Sequence, residues 1–367
     1  MKIIHCADLH LDSKMTANLD SVRAKERKAE LLHTFTAMVD YAVKHEVEAI
    51  IIAGDLFDTS NISALARNTV RDAIVNHAGI TFYLLKGNHD RDNFLASMEE
   101  IPDNLKLFGE EWTEYAMDQA GDIVLAGLEL SPENSGSCYT SLILDPAKVN
   151  IVTLHGQEAE VTVRDKAEII NLRELKNKNI DYLALGHIHG YKEEALDGRG
   201  VYCYCGCLEG RGFDELGEHG FVLLDVDGKT HKIERSFVPI ASRQMCEMVV
   251  DITGIQTTSE IIEKIDADMD KNPVGSKNLL KIILRGELDI ECEKDIDYVV
   301  KHYEPMFYFV KVYDESKLKV NYEDYKLDES LKGEFVRMVM NAKDIAEADK
   351  AAVIRVGIQA IAGEEIV

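Results

Sequence analysis

The sequence predicts a layered α/β fold that carries a smaller α+β domain and a helical tail. Three observations lead there. Short apolar runs ending abruptly in polar residues alternate with helical stretches over the first two thirds of the chain, strands outnumber helices towards residue 240, and the pattern changes after about Pro239. With 367 residues, 46% of them hydrophobic and 29% charged, the chain has enough apolar material for a large core and more than one domain.

Lys2–Cys6 is the first strand, followed by a long amphipathic helix over Arg23–His45 with Leu31, Leu32, Phe35, Met38, Val39 and Ala42 on one face. Ala49–Ala53 and Ile80–Leu85 are continuous apolar runs, as expected of strands covered on both faces, and this order suggests βαβ units around a central sheet. Ile123–Leu128, Val149–Leu154, Tyr182–Leu185 and Val201–Cys205 are further strands, with one long helix between them at about Arg164–Lys178. Phe221–Val226 and Lys232–Val238 flank Asp227-Gly228, a hairpin signal because both residues tolerate positive φ. Beyond residue 240, strands at Met245–Ile252, Leu279–Leu284 and Phe307–Tyr313 alternate with helices at Ser259–Met269 and Glu293–His302. From Asp328 come two amphipathic helices, the first with Leu331, Phe335, Met338 and Val339 on one face and the second with Ile354, Ile358 and Ile361. The expected division is 1–240, 241–327 and 328–367.

Composition excludes several classes. No stretch approaches the roughly 20 apolar residues of a membrane span, and Met1–His5 runs straight into a strand without a signal peptide's apolar core. Seven scattered cysteines do not make a disulfide framework, so the expected compartment is the cytoplasm. Against 41 Lys plus Arg stand 66 Asp plus Glu, a formal charge of -25, which rules out a general basic surface for nucleic acid.

Five polar motifs occur in order, each after a strand-like run: Asp8-Leu9-His10, Gly54-Asp55-Leu56-Phe57-Asp58, Gly87-Asn88-His89-Asp90, His155-Gly156 and Gly186-His187-Ile188-His189. Placed just past strand carboxyl ends, they line one edge of a sheet, where open α/β structures bind ligands. Asp8 with His10, and His187 with His189, are two residues apart and share a side if the backbone is extended there. Taken singly, each motif has an ordinary reading as a helix cap, a turn or a packed histidine. Taken together they offer two carboxylates, four imidazoles and a carboxamide, a ligand set too large for one ion and suited to two.

These motifs resemble the signature of the calcineurin-like metallophosphoesterases. The resemblance covers about the first 240 residues, and the runs Cys6–Asp12 and Leu208-Glu209-Gly210-Arg211-Gly212-Phe213 look like the DNA-repair nuclease branch with its bacterial SbcD-like members. It implies a four-layer α/β/β/α sandwich, a capping domain and a tail that attaches to an SMC-like ATPase of the SbcC type. It also implies a ligand assignment: Asp8, His10 and His189 on one ion, Asn88, His155 and His187 on the other, Asp55 bridging, and His89 as the catalytic histidine oriented by Asp58. The second motif ends in Asp58 where archaeal and eukaryotic relatives often carry His. Manganese is the metal the resemblance implies, with iron or zinc also compatible with an imidazole-rich shell.

The activity implied is hydrolysis of DNA phosphodiester bonds by a metal-activated hydroxide, in an exonuclease and endonuclease subunit that can also form a homodimer. Two alternatives remain open: a phosphoesterase for a small substrate such as a cyclic nucleotide or a phosphoprotein, and a non-catalytic scaffold that binds a partner. Two dications bring four positive charges against three from Asp8, Asp55 and a hydroxide, which leaves the site electropositive in an acidic chain. Arg23–Lys28 and Arg173 with Lys176 and Lys178 are expected to be solvated helix faces. Cys203, Cys205 and Cys207 are expected as small buried residues, His5 as structural, and Tyr303, Phe307, Tyr308 and Phe309 as core.

Overall fold

The computed structural model describes residues 1–15, 19–58, 62–90, 94–98, 100–159, 168–289, 292–320 and 325–362. Two compact units divide the chain, Met1–Gln244 and Met245–Val367.

The first unit holds two six-stranded mixed sheets. In one, β1 (Lys2–Cys6), β2 (Ala49–Ala53), β3 (Thr81–Leu85) and β4 (Leu105–Leu107) run parallel, and β13 (Gly220–Asp227) and β14 (Lys232–Pro239) extend it antiparallel beside β1. In the other, β6 (Ile123–Gly127), β7 (Val149–His155), β10 (Tyr182–Gly186) and β12 (Val201–Tyr204) run parallel between antiparallel edges β5 (Thr113–Ala116) and β11 (Lys192–Ala195). Ile3, Ile51, Leu125, Ile151, Ala184 and Val222 pack in one core between the sheets. The outer face of the first sheet packs on α1 (Ser21–Lys44) and α2 (Ala64–Asn76), and that of the second on α3 (Cys138–Ser141) and α4 (Leu172–Leu175). The result is the expected α/β/β/α sandwich. Covering both faces of the parallel strands explains why β2 is apolar at every position.

Three local readings change. The helix expected over 164–178 begins outside the described residues, and the next element is a strand, β9 (Ile169–Asn171), parallel to β8 (Gln157–Ala159). Only the single turn α4 comes after it, started by the Asn171 side chain and succeeded by left-handed Asn177 and Asn179 at φ 61° and 63°. The hairpin after β13 closes through a four-residue loop, 228–231, in which the Asp227 carboxylate accepts the Lys229 and Thr230 N–H groups and His231 takes the positive φ, 57°. Edge strands β5 and β11 carry polar, partly exposed residues and so lack the apolar signal that marks their neighbours.

In α1, Arg27 is fully buried rather than solvated. Its guanidinium meets Glu209 at 2.9 Å and the Gly210 carbonyl, while Glu209 also accepts Thr34 Oγ1 and the Ser242 N–H. Lys28 pairs with Asp12 at 2.6 Å. His5 crosses the inter-sheet core to Tyr182 Oη at 2.9 Å, and burial lowers its pKa to about 3, so it is neutral and structural.

The second unit has a three-stranded parallel sheet, β15 (Met245–Asp251), β16 (Leu279–Arg285) and β18 (Phe309–Asp314), joined through α5 (Thr258–Lys271) and α6 (Ile296–Tyr303). A short parallel pair, β17 (Glu287–Asp289) and β19 (Lys317–Lys319), adjoins it. Tyr303 is buried, as expected of core, and donates to Asp266 at 2.8 Å. The last helices, α7 (Leu331–Asn341) and α8 (Glu347–Ala362), bury Val336, Val339 and Ile354 together with Val320 and Tyr325. Leu331 and Met338, expected on the apolar face, are 68% and 63% exposed.

Candidate metal centre

All five motifs lie at or just past carboxyl ends of parallel strands in the two facing sheets: β1, β2 and β3 in one, β7 and β10 in the other. Asp8 and His10 do not converge as an extended pair. Asp8, His10 and Asp55 lie in the left-handed region at φ 52°, 44° and 53°, and His187 has φ 104°. Such backbone costs about 1–2 kcal/mol at each non-glycine residue, and the surroundings hold it here. The Asp8 and His10 N–H groups donate to the carbonyls of Gly54 and Asp55, binding the first loop to the second. Gly54, at φ 94°, has no room for a Cβ, which would strike the His155 ring, and a Cβ on Gly87 would strike the Asp55 carboxylate.

The side chains then meet. His10 Nε2 lies 3.2 Å from His189 Nε2 and 3.8 Å from Asp55 Oδ2. His155 Nε2 lies 3.4 Å from Asp55 Oδ2 and 3.0 Å from Asn88 Oδ1, while its Nδ1 faces the Ala53 carbonyl at 2.9 Å. Both Asp8 oxygens accept the His187 N–H at 2.9 Å. Asp8, His10 and Asp55 are each no more than 2% exposed. Three groups bring ligand atoms within 4.8 Å of one another: Asp8, His10 and His189; Asp8, Asp55 and His155; His10, Asp58 and His89. His187 stands apart from these groups, its ring edge-on to His155 with centroids 5.4 Å apart.

The residues present fit two bound cations. Two buried carboxylates face imidazole nitrogens, and among the described residues no lysine or arginine pairs with either; the His10 and His189 nitrogens point at each other, an arrangement that a shared cation satisfies. Among the described residues buried His10 Nδ1 also makes no hydrogen bond, although Asp58 Oδ1 lies 3.2 Å away. Burial raises the Asp8 pKa, against the pull of His155 and His189. For Asp55 burial also pushes upward, but bonding and charge from His155 and His10 outweigh it and hold the pKa at about 2. Burial lowers the His187 pKa, with His155 adding to the effect.

His89 is different. It is half exposed, and its Nδ1 lies 3.4 Å from Asp58 Oδ1. Ser13 Oγ donates to Asp58 at 2.8 Å, and Arg211 Nη1 is 3.7 Å away. Burial opposes these partners and His10, yet together they keep the Asp58 pKa at about 2, so it meets the imidazole as a carboxylate.

Residues to which the sequence reading gave no role complete the site. Asp90 accepts three N–H groups, from Phe57 at 3.0 Å, Leu56 at 3.2 Å and Gly87 at 3.0 Å, and so ties the second motif to the third. Its place at the end of Gly87-Asn88-His89-Asp90 was its only signal. Glu215 and Arg211 come from the loop after β12, and no spacing in the sequence points to Glu215.

A buried cluster of carboxylates and imidazoles at the carboxyl edge of an α/β/β/α sandwich defines a metal-dependent phosphoester hydrolase. Residues 1–191 match the calcineurin-like phosphoesterase family, and the chain belongs to it. The family uses a dinuclear metal site. The chain is 27% identical over 310 residues to the DNA double-strand break repair protein Mre11 of Sulfurisphaera tokodaii, covering 78% of this chain and 76% of that one. It is also 27% identical over 311 residues to the SbcD component of the nuclease SbcCD of Escherichia coli K12, covering 71% and 74%. The Uncharacterized metallophosphoesterase YhaO of Bacillus subtilis is 25% identical over 301 residues, covering 78% and 72%. The Mre11 and SbcD likenesses support the DNA repair nuclease branch.

Proposed function

We propose that the chain is the nuclease subunit of a DNA repair complex of the SbcD type, a phosphodiesterase cutting DNA as exonuclease and endonuclease. The observation that carries this reading is the meeting of Asp8, His10, Asp55, His155 and His189 in one buried cluster with half-exposed His89 at its rim. The likeness to Mre11 and SbcD proteins supports DNA as the substrate.

Asp8, His10 and His189 would hold one ion, Asn88, His155 and His187 the other, and Asp55 both. Two such dications, when bound, would lower the pKa of a water that could serve as nucleophile and would stabilise charge on the phosphoryl oxygens. His89 would donate a proton to the departing alkoxide, with the Asp58 carboxylate orienting the ring. Manganese is the proposed metal. We assign 1–240 to catalysis, 241–327 to a cap and 328–367 to attachment of an SMC-like ATPase, which would bring the DNA-binding surface that a chain of charge -25 lacks. Exposed Leu331, Met338 and Val356 on α7 and α8 favour that attachment. No helix among the described residues is long and apolar enough to cross a membrane, and the seven cysteines are free, in line with a cytoplasmic setting.

The test is digestion of labelled DNA by the chain with and without manganese, beside a model phosphodiester and monoester. Cleavage of DNA and diester but not monoester, reduced about 10²–10⁴-fold in His89→Asn with metal uptake retained, is expected. Full activity in His89→Asn refutes the acid role, and turnover of the monoester alone favours a small-substrate phosphatase.

A further inference from the structure

The loop after β12 contributes a carboxylate to the centre that none of the five motifs contains. Glu215 Oε1 lies 2.6 Å from His189 Nδ1, and the Glu215 side chain is only 6% exposed. A carboxylate cannot donate, so a contact this short places a proton on His189 Nδ1, and in the neutral ring Nε2 then keeps a free lone pair. That Nε2 is the atom facing His10 Nε2 at 3.2 Å. Arg211 Nη2, 3.2 Å from the same Nδ1, is always a donor and cannot bond a protonated nitrogen. It bonds Glu215 Oε1 instead, at 3.1 Å.

Glu215 is itself held on every side. Its Oε2 accepts the Arg211 N–H at 2.6 Å, its own N–H donates to the Gly212 carbonyl at 3.0 Å, and its carbonyl accepts His219 Nε2 at 2.9 Å. With its Nε2 donating, His219 presents Nδ1 as acceptor to the Cys207 thiol, 3.2 Å away. Cys207 thus has a structural part in the loop, and the Arg27–Glu209 pair anchors the start of the same loop on α1.

We propose that Glu215 is the positioning residue of the metal centre, fixing His189 in the Nδ1–H tautomer so that Nε2 is presented to a cation shared with Asp8 and His10. This rests on the reading of His189 as a ligand. A carboxylate behind a ligating histidine sets ring orientation and ligand strength, and its loss typically lowers metal affinity 10–100-fold.

The experiment uses the full chain with ¹⁵N-labelled histidine, without metal and at a pH where the His189 ring is neutral. The wild type is expected to carry its proton on Nδ1, and Glu215→Gln to lose that preference. Manganese(II) titration monitored by electron paramagnetic resonance is expected to show two sites, one of them weakened about 10–100-fold in Glu215→Gln. A merely structural role lowers the melting temperature without moving the tautomer. A wild-type proton on Nε2, or a Glu215→Gln chain with tautomer and both affinities unchanged, overturns the inference. His189→Asn separates the two readings: if it weakens one site while Glu215→Gln weakens none, Glu215 alone is misassigned. If it weakens neither, or the wild type takes up no manganese, the ligand reading fails and this inference with it.

Discussion

Substituting Asp90 by Ala removes the acceptor that the Leu56, Phe57 and Gly87 N–H groups share. Hydrogen bonds to an ionised acceptor contribute about 1.5–3 kcal/mol each, or about 4.5–9 kcal/mol for three. Burial raises the Asp90 pKa, against those same N–H bonds, so desolvation offsets part of this and a loss of about 3–5 kcal/mol is expected for Asp90→Ala. In a domain of this size that lowers the melting temperature by about 6–20 °C. The loops it frees carry Asp55 and His89, otherwise joined by the His89 N–H donating to Asp55 Oδ1 at 2.9 Å. A displacement of about 1 Å there costs about 100-fold in kcat/KM. Asp90→Asn keeps an oxygen acceptor without the charge and should fall between the two. Calorimetry and manganese-stimulated hydrolysis of bis(p-nitrophenyl) phosphate read both effects. An Asp90→Ala chain that melts within about 2 °C of wild type with unchanged kcat/KM refutes this account of how the loops are held.

Arg27→Met leaves the Glu209 carboxylate buried without its cation and is expected to cost about 3–5 kcal/mol, while Arg27→Met with Glu209→Leu costs less than the sum of the two single losses, the Thr34 and Ser242 donors remaining unpaired; additive losses in urea unfolding count against a coupled pair. Gly54→Ala places a Cβ against the His155 ring at φ 94° and should lower both melting temperature and metal uptake, whereas Gly79→Ala, with open space around it, should change neither. Glu215 has a folded pKa of about 2 against an ordinary 4.5: burial pushes it up, and His189 and Arg211 pull it further down. Its stabilising contribution is therefore complete above about pH 4.5 and disappears as the pH falls towards 2, so acid unfolding of the metal-free chain should be shallower in Glu215→Gln over that range.

The apolar central strands and the ligand types were legible in the sequence because each rests on local chemistry, whereas the four-layer α/β/β/α arrangement followed from the family resemblance and the polar edge strands gave no signal. β2 announces its double burial with apolar residues throughout, and Asp8, His10, Asp55 and His155 stand directly where strands end. How those ligands converge was not legible. Asp8 and His10 meet through left-handed backbone that Gly54 and Asp55 carbonyls hold, a conformation that no propensity assigns to Asp or His in a strand-like run. Arg27 reads as one more charge on a helix until Glu209, 182 residues away, takes it into the core. Glu215 reads as one acidic residue among 66 until the loop after β12 carries it to His189. Periodicity and strand ends are properties of neighbouring residues. Tautomers, buried ion pairs and strained ligands depend on partners brought from distant parts of the chain, so only the packed sheets decide them.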